Sequence, residues 1–142
     1  MNELTLEQLE IGMEASFKRK LSEEMEDSFR EISGDENPLH QDDEFARQIG
    51  EGRFQGHVTF GMLTASFYSA LAGMYLPGKY SLIHSFEELS FMKPVYAGDE
   101  LTVTGKVIDK NQDLRFIVLK AAIRNQDNQV VSRAKMKVLV MQ

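Results

Sequence analysis

The sequence predicts an α+β fold: one long apolar helix packed on a curved antiparallel sheet. The stretch from about 59 to 76 is almost entirely apolar or small, interrupted only by Thr and Ser, and Pro77-Gly78 ends it. Four strand-like segments follow, at 80–93, 100–111, 114–125 and 130–141. Ala97-Gly98-Asp99, Gln112-Asp113 and Gln126-Asp127-Asn128 separate them, short enough for hairpins, so each strand is expected to pair with its neighbour in sequence. Helices first and strands afterwards is the order of an α+β layer.

Taken in order, residues 13–20 alternate Met13, Ala15 and Phe17 with Glu14, Ser16 and Lys18, which predicts a first strand with one buried face. Ser22 is placed to cap a helix whose start, rich in Glu23, Glu24 and Glu26, suits the positive end of the helix dipole. Met25, Phe29 and Ile32 form its apolar stripe, and Gly34 closes it in a left-handed conformation. Asp42 caps a second short helix carrying Phe45, Ala46 and Ile49, which Gly50 ends, and residues 50–56 form a loop. In the last strand Val130, Ser132, Ala134, Met136, Val138 and Val140 share a buried face, with Arg133, Lys135 and Lys137 outward. The apolar helix reads as buried nearly all round. One small sheet does not cover every side of it, so a strongly curved sheet or a partner subunit is expected, and a dimer more readily than a monomer.

The 142 residues, 42% hydrophobic and 27% charged, are expected to form a single domain, 1–142. With no Cys, disulfides, thiolate nucleophiles and Cys-bound zinc are excluded. The acidic N-terminus is unlike a signal peptide and no apolar run reaches spanning length, so a cytoplasmic protein without membrane attachment is expected. Sixteen Lys plus Arg against 22 Asp plus Glu, a net charge of -6, opposes a nucleic-acid partner.

The chemistry concentrates in Ser33-Gly34-Asp35-Glu36-Asn37-Pro38-Leu39-His40, where a carboxylate and an imidazole lie five positions apart across two helix breakers. An Asp and a His on such a turn can hold a water between them and move its protons, although the same residues also suit an ordinary capped turn. Gly61 opens the apolar helix, where free backbone N–H groups and the dipole favour a substrate oxygen gaining negative charge; close packing is the plainer use of a glycine there. Thr64, Ser66 and Ser69 are expected to bond back to helix carbonyls, and no Gly-x-Ser-x-Gly elbow surrounds either serine. His57 and His84 belong to no ligand-spaced cluster. No metal, dinucleotide or ATP site is expected.

Four segments in order resemble the MaoC-like, (R)-specific enoyl-CoA hydratases of the hot-dog fold: residues 29–42, Gly61-Met62-Leu63-Thr64-Ala65-Ser66, Leu76-Pro77-Gly78, and residues 89–101. The resemblance implies a curved antiparallel sheet wrapped around the helix, sheets paired in dimers, and reversible hydration of a trans-2-enoyl-CoA to a (3R)-3-hydroxyacyl-CoA. It implies Asp35 and His40 as the catalytic pair, Gly61 as the N–H donor to the thioester oxygen, and Ser69, eight residues later, as support for Asp35. Phe60 stands where many relatives have His. Asn37, Phe60 and Met62 are expected to shape substrate binding, and Arg53 and Lys93 to meet coenzyme A, with Lys79 a further cation. The thioester is substrate and no cofactor is implied. Three alternatives stay open: a hydratase for acyl-carrier-protein thioesters, a hot-dog thioesterase, and a non-catalytic acyl-thioester-binding domain.

Overall fold

A computed structural model describes all residues, 1–142. Strand β1 (Glu14–Lys20) leads into helix α1 (Glu23–Ser33), a 3-10 turn (Pro38–His40), helix α2 (Asp43–Ile49) and the apolar helix α3 (Gly61–Ala70), which runs on into a π turn (Leu71–Tyr75). Strands β2 (Ser81–Phe91), β3 (Glu100–Asn111), β4 (Phe116–Arg124) and β5 (Val130–Val140) complete one antiparallel sheet ordered β1-β3-β4-β5-β2.

The hairpins β3-β4 and β4-β5 are as expected, but β2 and β3 do not pair. The segment joining them crosses the molecule instead. Its Val95 carbonyl accepts from Thr59 N–H at 2.7 Å, and Gly98 and Asp99 exchange backbone bonds with Leu21, each at 2.8 Å. Those bonds draw the chain toward the β1 side, so β3 pairs with β1 and β2 is left at the opposite edge, beside β5. Register shifts at Ile83/Ser85 and Phe86/Glu88 in β2, and at Val107/Asp109 in β3, bend the sheet as bulges do.

The concave face holds α3. Leu101, Val103 and Val107 of β3, Ile117, Leu119 and Ile123 of β4, and Met136 and Val138 of β5 pack with Tyr68, Leu71 and Ala72 in one core. At Gly105 a Cβ would lie 2.6 Å from a Leu71 methyl, so the absent side chain is what lets helix and sheet approach. Tyr68 is fully buried; its hydroxyl donates to Ser132 Oγ at 2.9 Å, which donates to the Ser90 carbonyl at 2.9 Å. Burial pushes the Tyr68 phenol up to about 12. Tyr68→Phe removes a buried hydroxyl and strips Ser132 of its donor. We expect a loss of about 1 kcal/mol in urea unfolding with an unchanged denaturant slope.

The caps form as the residue types dictate. Ser22 accepts from Met25 N–H at 3.2 Å, Asp42 from Phe45 N–H at 3.0 Å, and Gly34 closes α1 at φ 73°. Two burial expectations change. Ile32 is exposed, because α1 turns its Met25, Phe29 and the buried carboxylate Glu26 inward. And α3 is not buried all round: Met62, Ser66 and Ser69 form an exposed stripe along one side of it.

Candidate active site

The Gly34 cap ends α1 just before Asp35, and the Asp35–Asn37 link is an Asx turn: Asp35 Oδ1 accepts from Asn37 N–H at 3.0 Å. Asn37 Oδ1 accepts in turn from Leu39 N–H at 2.9 Å, and Pro38 sets the first 3-10 position. This turn delivers His40 beneath Asp35, with Nε2 3.9 Å from Asp35 Oδ2. His40 Nδ1 lies 2.8 Å from the Val58 carbonyl, which can only accept, so Nδ1 carries a proton, and in the neutral ring the Nε2 lone pair faces Asp35. A water oxygen ~2.8 Å from each fits beside that gap. The His40 ring rests on Phe60, with centroids 4.3 Å apart.

A cavity of 380 Å³ lies beside the pair, lined among others by His40, Phe54, Gly61, Thr64, Phe91 and Lys93. The start of α3 opens onto it. Alone among the α-helices it has no capping side chain, and no acid stands in its first turn. Leu63 and Thr64 N–H groups bond to the Phe60 carbonyl, while those of Gly61 and Met62 have no acceptor in the chain. Two free donors therefore stand at the positive helix end, of which Gly61 lines the cavity, an arrangement suited to an oxygen that gains charge.

Thr64 also departs from expectation. Its hydroxyl does not bond back along the helix; it is buried, has no partner, and belongs to a residue that lines the cavity. Ser66 does bond back, to the Leu63 carbonyl at 2.6 Å.

Of the expected residues, His40, Gly61 and Lys93 line the cavity, and Asp35 stands beside His40 without lining it. The others are not gathered there. Phe60 is buried beneath His40, against Phe29 and under the Arg30 guanidinium, and does not line the cavity. Asn37 is spent on capping its turn, Met62 points outward on α3, and Arg53 turns back to the Gly50 carbonyl at 2.8 Å. Lys79 pairs with Glu3 at 3.2 Å. Ser69 lies on the exposed stripe and makes no hydrogen bond to Asp35 within the chain.

A polar cluster that the sequence did not single out lies next to the site: Glu26, His57, Asp43 and Thr59. Its one legible signal is Glu26, a carboxylate one position from the apolar stripe of α1.

The family model described as MaoC like domain matches residues 7–131. The chain belongs to the MaoC-like family. It is 35% identical over 123 residues to an (R)-specific enoyl-CoA hydratase of Aeromonas caviae, covering 87% of this chain and 89% of that protein. Among solved structures, an (R)-hydratase from A. caviae superposes with a TM-score of 0.84 at 32% identity, over 93% of this chain and 97% of that one. An unliganded R-hydratase from Pseudomonas aeruginosa superposes with a TM-score of 0.87 at 26% identity, over 99% and 87%. The architecture is the hot-dog fold of this MaoC-like family, and no helix is long and apolar enough to cross a membrane.

Proposed function

We propose that this MaoC-like chain is an (R)-specific enoyl-CoA hydratase, adding water reversibly to a trans-2-enoyl-CoA to give a (3R)-3-hydroxyacyl-CoA. The observation that carries the reading is the convergence of His40, with its lone pair turned toward Asp35, and the uncapped start of α3 on one cavity. The thioester oxygen sits at the Gly61 N–H, which draws electron density from C3. The water between Asp35 and His40 attacks C3; the pair takes up one of its protons and a proton is delivered to C2. The balance is one water across one double bond, so the reaction calls for no cofactor. Thr64 forms part of the wall beside the acyl thioester, and Lys93 at the cavity wall meets an anionic part of coenzyme A. The (R) outcome is supported by the name of the A. caviae relative.

The experiment is incubation with crotonyl-CoA, following loss of the conjugated enoyl thioester and the configuration of the product. Formation of (3R)-hydroxybutyryl-CoA supports the reading. Release of free thiol instead marks a thioesterase, binding without turnover marks an acyl-thioester-binding domain, and a rate that appears only with crotonyl carrier protein moves the substrate to that carrier.

The same reading includes a homodimer. The β2 strand bonds to β5 on one side only, and Leu82, Phe86 and Phe91 on it are exposed, an edge that water tolerates poorly. A second copy along that edge covers it. Ser69 faces outward, so any support it gives Asp35 would come from that second copy. Native mass spectrometry should give twice the chain mass of 16.2 kDa, and Leu82→Lys with Phe86→Lys should give the single mass.

A further inference from the structure

Beside the acyl cavity lies a second one of 330 Å³, with no apolar side chain in its lining. At its wall the His57 ring is held at both nitrogens: Nδ1 is 2.6 Å from Asp43 Oδ1 and Nε2 is 3.2 Å from Glu26 Oε1. An ionised carboxylate only accepts, so with Glu26 and Asp43 both ionised each ring nitrogen carries a proton and the ring is an imidazolium. Glu26 is 2% exposed, and its second oxygen accepts from the Thr59 hydroxyl at 2.9 Å. Asp43 Oδ1 accepts the His57 backbone N–H as well, at 2.9 Å. One buried carboxylate therefore ties α1 to both ends of the segment His57-Val58-Thr59, and Asp43 ties α2 to its start.

The middle residue of that segment carries the catalytic turn. Val58 N–H donates to the Leu39 carbonyl at 3.0 Å, and the Val58 carbonyl accepts from His40 Nδ1 at 2.8 Å. Whatever fixes Val58 fixes the tautomer and direction of His40. We propose that Glu26, His57 and Asp43 form a charged clamp that positions His40 through the Val58 carbonyl; this rests on Asp35 and His40 being the acid-base pair. The three are positioning residues, since none lines the acyl cavity.

The clamp has a pH dependence. Facing His57 from α1 are Glu23, Glu26, Asp27 and Arg30; the 3-10 turn side offers only the amide of Gln41; α2 offers Asp43, on which Arg47 also acts. Burial pushes the imidazole down, but the hydrogen bonds to Asp43 and Glu26 and the charges on them outweigh it, holding His57 above its ordinary 6.5. The backbone and side-chain bonds from His57 hold Asp43 below its ordinary 3.8. A raised imidazole stabilises the fold fully below 6.5, and that contribution is lost as pH rises through the higher folded value.

The test compares wild type, His57→Gln and Glu26→Gln by nitrogen-detected NMR of the three imidazoles and by crotonyl-CoA kinetics across pH. In wild type at neutral pH, His57 should show both ring nitrogens protonated and His40 a dominant Nδ1–H tautomer. In His57→Gln we expect His40 to lose that single tautomer and kcat to fall at least about tenfold with KM little changed. The decline of wild-type kcat through the His57 titration should be missing. Glu26→Gln can still accept from Thr59 and can donate to a neutral His57 Nε2, so it should keep the His40 tautomer while lowering the His57 titration. A neutral His57 in wild type, or a folded His57→Gln with wild-type His40 tautomer and pH profile, overturns the clamp. If wild type turns over no enoyl thioester, the hydratase reading fails alone, and the His40 tautomer still decides the clamp.

Discussion

Asp35→Asn and His40→Gln should each cut crotonyl-CoA hydration by at least ~100-fold while the protein stays folded. The Asn side chain keeps an oxygen where Asp35 Oδ1 accepts from Asn37 N–H, so the turn survives and only the charge is lost. His40→Gln removes the Nε2 lone pair that faces Asp35 and the tautomer fixed by Val58. Both residues sit on a turn braced by Asn37, Pro38 and Val58 rather than in the core, so thermal unfolding should shift little. Each step of water addition needs a proton taken from the water and a proton given to C2. Losing either member breaks that circuit, and the two effects should be far from additive, because the residues act on one water. Two folded variants with wild-type rates would rule the mechanism out.

The elements were legible where one physical rule dominates. Period-two alternation gave β1 and β5, Ser22 and Asp42 announced their helices, and Gly34 marked the residue type that most readily ends α1 at φ 73°. Strand pairing was less legible. Hairpin logic is local, and it joined β2 to β3 across a turn, whereas the actual path is set by Val95, Gly98 and Asp99 bonding to residues far away in sequence. No short-range signal in residues 92–99 encodes those bonds.

The turn from Ser33 to His40 was legible because its capping residues and the two groups it presents come from the same eight residues. Its setting was not. Helical periodicity treated Glu26 as a surface acid near a dipole, yet it faces inward because Thr59 and His57, more than 30 positions away, supply the donors that offset its burial. The stripe rule put Ile32 inside for the same reason that it put Glu26 outside: it reads polarity and not partners. Thr64 was expected to bond back to the helix, as Ser66 does, yet its buried hydroxyl has no partner.

Gly61→Pro is expected to lower kcat/KM by roughly 100- to 1000-fold, the cost of one lost oxyanion donor in other systems, with the fold retained. Proline at the first helical position suits α3. Its ring holds the required φ, the missing N–H has no partner in the chain, and Phe60 at φ -54°, ψ 125° already occupies the extended region that a residue before proline adopts. The new Cβ would meet the Phe91 ring at 3.2 to 3.3 Å, and that ring is half exposed and can yield. Gly61→Ala brings the same Cβ contact but keeps the N–H, so it separates the Phe91 contact from the effect of closing the proline ring on the nitrogen. A donor role predicts a loss in the alanine variant of less than about tenfold and a much larger one in proline, with the gap in kcat because the oxygen gains charge only toward the transition state. Equal losses in the two variants would make Gly61 a packing residue and leave the thioester oxygen to Met62 N–H or the Thr64 hydroxyl.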